Sequence, residues 1–141
     1  MTNYHITVDY SVDLANIIAE GKYDWVNDNI KSIHFPQKHI GKRNVTLGLL
    51  HLGEVVSSVY AIKQLTSFGY RPGQVEELIT VTKVFPKLHK RFPLVALGTQ
   101  TLILAHCMVP CVYYNGSQKC LDLGRWNCTW NARYQFLGVK V

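Results

Sequence analysis

The first half of the chain alternates apolar and polar residues in patterns that predict strands mixed with short helices. Residues 4–10 are rich in aromatic and β-branched side chains, which is typical of a strand. A helix is predicted to begin just after Ser11, whose hydroxyl would cap it, and to end at Gly21. Apolar residues at helical spacing predict another helix over residues 25–33, and the polar, basic residues 37–44 predict an exposed loop.

The middle of the chain predicts one more strand and two longer helices. Residues 45–50 are typical of a buried strand, and Ser57 or Ser58 can cap the helix that follows. We expect this helix to end at Gly69 and to bury one apolar face, made of Val59, Ile62, Leu65 and Phe68. The next helix is predicted from a second inward face, made of Val75, Leu78, Ile79 and Thr82.

From residue 93 onward the pattern is predominantly that of β-strands. Short strands are predicted at residues 94–98, 109–114, 118–123 and 136–141. Asn115-Gly116 lies between two of them and is a strong signal for a two-residue hairpin turn. The sequence therefore predicts an α+β fold in one domain of residues 1–141, with helices in the N-terminal half and a mainly antiparallel β C-terminal half.

Composition and charge narrow the class of protein. The 141 residues are 48% hydrophobic and 17% charged, which fits a chain with a hydrophobic core and excludes a disordered protein. No segment has the roughly 18 consecutive apolar residues of a membrane helix, so we expect no membrane span. The amino terminus lacks the basic start and apolar stretch of a secretory signal, so a cytoplasmic location is the default expectation.

No motif in the sequence predicts catalysis, and we expect the protein not to be an enzyme. His106 and Cys107 place an imidazole beside a thiol, but neighbours on a strand point to opposite faces and are poorly placed to share a proton. A thiol enzyme at Cys107 stays open as a third possibility. Glu76 and Glu77 diverge by about 100° around a helix axis, and we expect both to be solvated at the helix N-terminus.

No metal or other cofactor is expected. The six histidines show no tight ligand spacing, and the four cysteines lack the paired C-x-x-C of a zinc ribbon. All four cysteines fall within residues 107–128, whereas a disulfide framework would spread them through the fold. We therefore expect reduced thiols.

The net charge of +6 permits an acidic partner and leaves an alternative function open. Four basic residues in one segment could contact nucleic-acid phosphates without sequence specificity, namely Lys83, Lys87, Lys90 and Arg91. No helix-turn-helix or RNA-recognition motif accompanies them, so solvated surface residues are the simpler interpretation.

Residues 113–134 have the most unusual pattern in the chain. Large apolar residues predicted to anchor the fold recur there and just beyond, at Leu121, Leu123, Trp126, Trp130 and Phe136. The remaining positions carry residue types that recognition surfaces use for contact area and hydrogen bonds. The candidate ligand-binding residues are Tyr113, Tyr114, Asp122, Gly124, Arg125, Asn127, Cys128, Thr129, Asn131, Arg133 and Tyr134.

Several segments resemble the C-type-lectin-like fold of the formylglycine-generating and bacterial lectin-fold groups. Gly69-Tyr70-Arg71-Pro72, followed by Val75-Glu76-Glu77-Leu78, is similar to their G-[WY]-R-x-P…E-L helix. The later strands of that fold resemble Val95-Ala96-Leu97-Gly98, Tyr113-Tyr114-Asn115-Gly116 and Phe136-Leu137-Gly138-Val139-Lys140. The resemblance implies a lectin-like part over residues 57–141, with residues 1–56 as an N-terminal extension or the first part of the fold.

Residues 121–134 resemble the variable region of proteins diversified by diversity-generating retroelements, which use the C-type lectin fold as a scaffold. In that family, copying errors at template adenines alter selected codons, and the residues between the anchors belong to the set that such changes produce. The resemblance implies a binding protein with a diversified, solvent-exposed surface and a macromolecular ligand, in the first place a protein. Calcium-dependent sugar binding is not expected, because the Glu-Pro-Asn, Gln-Pro-Asp and Trp-Asn-Asp motifs of such lectins are absent.

Overall fold

The computed structural model describes every residue from Met1 to Val141 and has an α+β fold with mostly antiparallel strands. The strands are β1 (Thr2–Asp9), β2 (Trp25–Val26), β3 (Lys42–His51), β4 (Val56–Ser57), β5 (Tyr70–Pro72), β6 (Leu94–Val95), β7 (Thr101–Ile103), β8 (His106–Tyr114), β9 (Lys119–Arg125), β10 (Thr129–Trp130) and β11 (Gln135–Lys140). The helices are α1 (Leu14–Glu20), α2 (Ser58–Ser67), α3 (Val75–Val84) and α4 (Leu88–Arg91). Each of these helices is too short or too polar to cross a membrane.

Nine strands form one sheet, and seven of them follow one another in the order β1, β3, β11, β6, β8, β9 and β2. The other two are short: β5 pairs with β11, and β7 pairs with β8. β10 and β4 form a separate two-stranded sheet. β3 lies between β1 and β11 and is antiparallel to both. Residues 1–56 therefore supply strands to the same sheet as the C-terminal residues.

The sheet separates two hydrophobic cores, because successive residues of a strand point to opposite faces. On β11, Leu137 and Val139 pack in the core that contains the buried residues of α1 and α3. Phe136, which precedes Leu137, packs in the other core, together with Trp130 and with Ala61 and Leu65 of α2. β6 alternates in the same way, with Leu94 in the first core and Val95 in the second.

The strand at residues 4–10, the Ser57 cap and the β C-terminal region are confirmed. Ser57 Oγ accepts a hydrogen bond from the Tyr60 backbone N–H at 3.1 Å, and no helix follows α4. The hairpin also occurs, but its loop is longer than predicted, because the last paired residues are Tyr114 and Lys119. In this four-residue loop only Gly116 has a positive φ, 97°, so the two-residue turn is wrong.

The helix predicted over residues 25–33 is wrong. Residues 25–26 form β2, which pairs in parallel with β9, and turns follow. The Asn27 backbone N–H donates to the Leu121 carbonyl at 2.9 Å, and its side-chain oxygen accepts from the Asn29 N–H at 2.9 Å. Asparagine thus satisfies the backbone locally in place of a helix. The N-terminal half contains the long strands β1 and β3 beside α1 and α2, so it is not predominantly helical.

Two predicted boundaries shift in the first third of the chain. Ser11 does not cap α1, which begins at Leu14; its hydroxyl instead accepts a hydrogen bond from the Gly41 N–H at 2.6 Å. The exposed loop predicted over residues 37–44 ends earlier, because β3 begins at Lys42.

The buried face of α2 differs from the predicted one by about one position. Ser58, Ala61 and Leu65 are buried, whereas Val59 and Phe68 are 65% and 60% exposed. The cause lies outside the helix, since the Ser58 hydroxyl donates to the Trp126 carbonyl at 2.9 Å. This bond draws the first residue of α2 inward and turns Val59 towards solvent.

The prediction that Glu76 and Glu77 are solvated is wrong, because both side chains are buried. Glu77 accepts two hydrogen bonds from the Arg71 guanidinium, at 3.1 and 2.6 Å, and one from the Gln74 N–H at 2.7 Å. The Tyr10 hydroxyl donates to the same carboxylate. Glu76 has no such set of partners, and burial raises the pKa of its carboxyl to about 6.

Candidate functional site

The eleven candidate residues between 113 and 134, called the C-terminal surface, lie on β8, β9, β10 and the loops that follow β9. β8 and β9 pair antiparallel over seven consecutive residue pairs, from Met108–Arg125 to Tyr114–Lys119. This long ladder fixes which side chains face the cores and which face solvent. The hairpin thus supplies a rigid support for one half of the surface.

The predicted anchors Leu121, Trp130 and Phe136 are buried, as expected, while Leu123 and Trp126 are half-buried. Trp130 is also fixed in orientation, because its Nε1 donates to Ser58 Oγ at 2.8 Å. The same hydroxyl donates to the Trp126 carbonyl, so one serine at the start of α2 positions both tryptophans. β10 is further fixed by its pairing with β4.

The candidate residues are either exposed or half-buried, and none is fully buried. Seven are exposed: Tyr114, Arg125, Asn127, Cys128, Thr129, Asn131 and Arg133. Four are half-buried: Tyr113, Asp122, Gly124 and Tyr134. The exposed members come mainly from residues 125–133, which form the loop after β9, β10 and the following turn.

Asp122 is engaged inside the protein. Its Oδ1 accepts from the Asn27 side chain at 3.0 Å and from the Leu123 N–H at 2.7 Å. Its Oδ2 accepts from the Tyr113 hydroxyl at 3.1 Å. The structure therefore gives Asp122 a positioning role for its neighbours, which differs from the ligand contact predicted for it.

Gly124 and Tyr134 pack against Trp130. A Cβ on Gly124 would lie 2.6 Å from the far edge of the Trp130 ring, so a larger residue does not fit without a shift. The Tyr134 ring meets the Trp130 ring edge-on, with centroids 5.0 Å apart. Burial raises the pKa of the Tyr113 and Tyr134 hydroxyls, which keeps both as protonated hydrogen-bond donors at neutral pH.

A polar cavity of about 150 Å³, called the α4 pocket, opens at one end of the C-terminal surface. Five candidate residues line it, and α4 and its following turn supply the rest: Tyr113, Tyr114, Asn131, Arg133, Tyr134, His89, Lys90 and Pro93. The Arg133 side chain is fixed at the pocket by a 2.8 Å hydrogen bond to the Arg91 carbonyl. The pocket therefore joins the C-terminal surface to part of the basic segment.

The four basic residues of that segment do not form one row of free cations. Lys83 pairs with Glu20 at 2.9 Å. The Lys90 ammonium lies 5.6 Å from the Tyr114 ring centre, and the Arg91 guanidinium lies 5.2 Å from the Phe92 ring centre. Lys87 is exposed.

The four cysteines differ in exposure and in hydrogen bonding. The Cys107 Sγ donates to the Gln100 side-chain oxygen at 3.1 Å and has no bond to the neighbouring imidazole. Cys111 and Cys120 are buried, and burial raises the pKa of the Cys111 thiol, which disfavours the thiolate. All four cysteines are unpaired, and no three His, Cys, Asp or Glu side chains come together as a metal site.

Sequence reasoning missed His89, which is only 2% exposed and lines the α4 pocket. Its segment, Leu88-His89-Lys90-Arg91, is polar and predicts exposure, so no local signal identifies the buried member. No protein-family model matches the chain, and no curated protein or solved structure matches it either.

Proposed function

We propose that the chain is a non-enzymatic binding protein whose C-type-lectin-like scaffold displays diversified side chains for recognition of another macromolecule. One observation carries the proposal. Between residues 125 and 133, exposed polar side chains flank the half-buried Trp126 and the buried Trp130, so the recognition positions lie next to framework residues but differ from them in exposure. The resemblance of residues 69–78 to the lectin-like helix adds support.

Diversification of such a surface costs little stability. Exposed substitutions usually change the free energy of unfolding by less than about 0.5 kcal/mol, whereas deletion of a buried aromatic side chain costs about 3–5 kcal/mol. The positions that fit this role are the seven exposed residues of the C-terminal surface. Asp122 and Gly124 fit it less well, because their intramolecular contacts restrict substitution.

The first test examines the gene. Diversification predicts a near-copy of the DNA that encodes residues 113–134, differing mainly at adenines, beside a reverse transcriptase gene. The DNA encoding residues 1–56 serves as the control and should have no such copy. A locus without the near-copy would remove the diversification and leave only a binding role.

The second test examines tolerance in the protein. A variant with Arg125→Ser, Asn127→Tyr, Thr129→Ala and Asn131→Asp should lose less than about 2 kcal/mol of unfolding free energy in urea. Trp130→Ala is the matched control from the same segment and should lose about 3–5 kcal/mol. If the fourfold variant is destabilised as much as Trp130→Ala, the exposed residues belong to the framework and the proposal is wrong.

Nucleic-acid binding through the basic segment is the alternative function, and it has weaker support. Lys83 is already neutralised by Glu20, so fewer free cations remain than the sequence suggests. A titration of nucleic-acid affinity against salt tests it: phosphate contacts predict a steep loss of affinity as salt rises. An absence of binding at low salt would eliminate it.

A further inference from the structure

The α4 pocket has an excess of positive charge that the protein does not compensate. Its two cations, Lys90 and Arg133, form no ion pair with any carboxylate, since the only ion pairs are Arg71–Glu77 and Lys83–Glu20. One N–H of the Arg133 guanidinium donates to the Arg91 carbonyl, which orients the group and leaves its other N–H groups available.

The imbalance extends through this part of the chain. Residues 78–141 contain eight Lys or Arg residues and one acidic residue, Asp122. Asp122 forms no ion pair with the pocket cations, and its two oxygens accept hydrogen bonds from Asn27, Leu123 and Tyr113. This part of the chain is therefore strongly basic, and Asp24, from outside it, is the carboxylate that acts on His89.

His89 is a second, independent sign of an incomplete site. The side chain is buried, yet neither ring nitrogen has a hydrogen-bond partner in the protein. Buried polar groups are normally hydrogen-bonded, and an unsatisfied one costs stability. The charged groups that act on His89 are Lys119, Lys90 and Asp24; burial and the two lysines lower its pKa to about 4.

We propose that the α4 pocket binds an acidic side chain of the protein ligand, whose carboxylate is held by Lys90 and Arg133. The inference rests on the proposed binding function and gives the ligand its chemical class. A guanidinium matches a carboxylate with two parallel hydrogen bonds, and the protonated hydroxyl of Tyr134 lines the same cavity as a further donor.

A carboxylate fits the pocket better than a nucleic-acid backbone does. Phosphate tracking requires a row of cations along a groove, but here two cations line one small cavity of about 150 Å³. Two other basic residues are engaged, because Lys83 pairs with Glu20 and the Lys119 ammonium donates to the carbonyls of Gly21 and Thr82. Lys87 is exposed but does not line the pocket.

The test measures the binding of a labelled acidic peptide, acetyl-Asp-Glu-Asp-Glu-Asp-Glu-amide, by fluorescence anisotropy at low salt. The Asn/Gln version of the peptide controls for charge. Lys90→Gln and Arg133→Gln should each raise the Kd about five- to tenfold, because each removes one charge-assisted contact. Lys140→Gln and Arg43→Gln remove the same charges from exposed positions on β11 and β3 and should change the Kd less than about twofold.

The His89 ring provides a readout that does not depend on variants. In protein with ¹⁵N-labelled histidine at pH 7, saturation with the acidic peptide should shift the ring resonances of His89, because this side chain lines the pocket. Resonances that stay unchanged at saturation overturn the proposal, since the peptide would then bind elsewhere.

Three further results overturn it: no binding of the peptide, equal weakening by Lys90→Gln and Lys140→Gln, or tighter binding of a hexathymidine of similar charge. The last result would favour nucleic acid as the ligand. Failure here is distinguishable from failure of the proposed function, which is decided by the gene near-copy and by the tolerance of exposed substitutions. A failed peptide test with both of those positive removes only the acidic ligand.

Discussion

Two polar clusters of this protein differ in how far the chain satisfies them. At the start of α3, the Glu77 carboxylate is fully buried and accepts hydrogen bonds from Arg71, Tyr10 and the Gln74 backbone. In the α4 pocket, Lys90 and Arg133 lack a carboxylate, and both His89 nitrogens lack a partner. The carboxylate of the first cluster has its partners within the chain, whereas the second cluster keeps polar groups that are available to a ligand.

Under the proposed function, this difference separates framework from recognition. A buried charge is tolerated only when it is paired and hydrogen-bonded, so a completed cluster indicates a structural role. Groups without partners inside the protein are free to bind something outside it. We therefore expect substitutions to have large effects on stability at Glu77 and small effects at the exposed residues of the C-terminal surface.

The largest effect is expected at Glu77. Glu77→Ala should lower the free energy of unfolding by about 3 kcal/mol, because it leaves the Tyr10 hydroxyl and the partly buried Arg71 without their acceptor. Urea unfolding at pH 7.5 measures the loss, with Glu54→Ala on an exposed loop as the control. A loss below about 1 kcal/mol would show that the cluster is not part of the framework.

Glu76 sharpens the comparison, because it is buried without the partners of Glu77. Its pKa of about 6 lies above the ordinary value, so the folded state disfavours the ionised carboxyl. The contribution of this carboxyl to the free energy of unfolding is therefore fully present below about pH 4.5. It decreases by up to about 2 kcal/mol as pH rises through 6.

Glu76→Gln removes this titration. We expect the variant to be more stable than the original chain by up to about 2 kcal/mol at pH 7.5 and equally stable near pH 4. Urea unfolding at the two pH values gives both differences. A variant that is destabilised at pH 7.5 would show that the ionised carboxylate has a favourable partner.

Local patterns predicted much of the fold but not the clusters. The strand alternation of residues 4–10, the Ser57 cap and the anchors Leu121 and Trp130 could be identified because each signal lies within a few residues. The partners of Glu77 include Tyr10, 67 positions away, so its burial could not be predicted locally.

The same reason explains the errors at residues 25–33 and at the pocket. The apolar spacing of residues 25–33 fits a helix, but pairing with β9 and the Asn27 side chain favour a strand and turns. His89 lies in a polar run and is buried only because α4 packs against β8, with the Tyr114 ring 6.0 Å away. Exposed candidate residues were predictable from residue type, whereas the pocket that joins five of them depends on distant chain segments.

A smaller effect is expected at Gly124, which belongs to the C-terminal surface but contacts the buried framework. Gly124→Ala should destabilise the protein by about 1–2 kcal/mol, because the new methyl group meets the Trp130 ring, which its bond to Ser58 keeps in place. Thr129→Ala, on the exposed side of β10, is the control. Gly53→Ala is less suitable, because Gly53 has a positive φ and its substitution would add backbone strain. An unchanged unfolding midpoint for Gly124→Ala would show that Gly124 tolerates substitution as the exposed residues of the C-terminal surface do.

The smallest effect is expected at Cys128, the exposed thiol of the C-terminal surface. Cys128→Ser should change the free energy of unfolding by less than about 0.5 kcal/mol, because the side chain contacts solvent in the folded and unfolded states. Cys111→Ser is the matched control and should cost about 1–3 kcal/mol, since it places a hydroxyl in a core that offers the present thiol no hydrogen bond. If both variants lose the same free energy of unfolding in urea, Cys128 is as constrained as a core residue. Diversification would then be excluded at this position of the C-terminal surface.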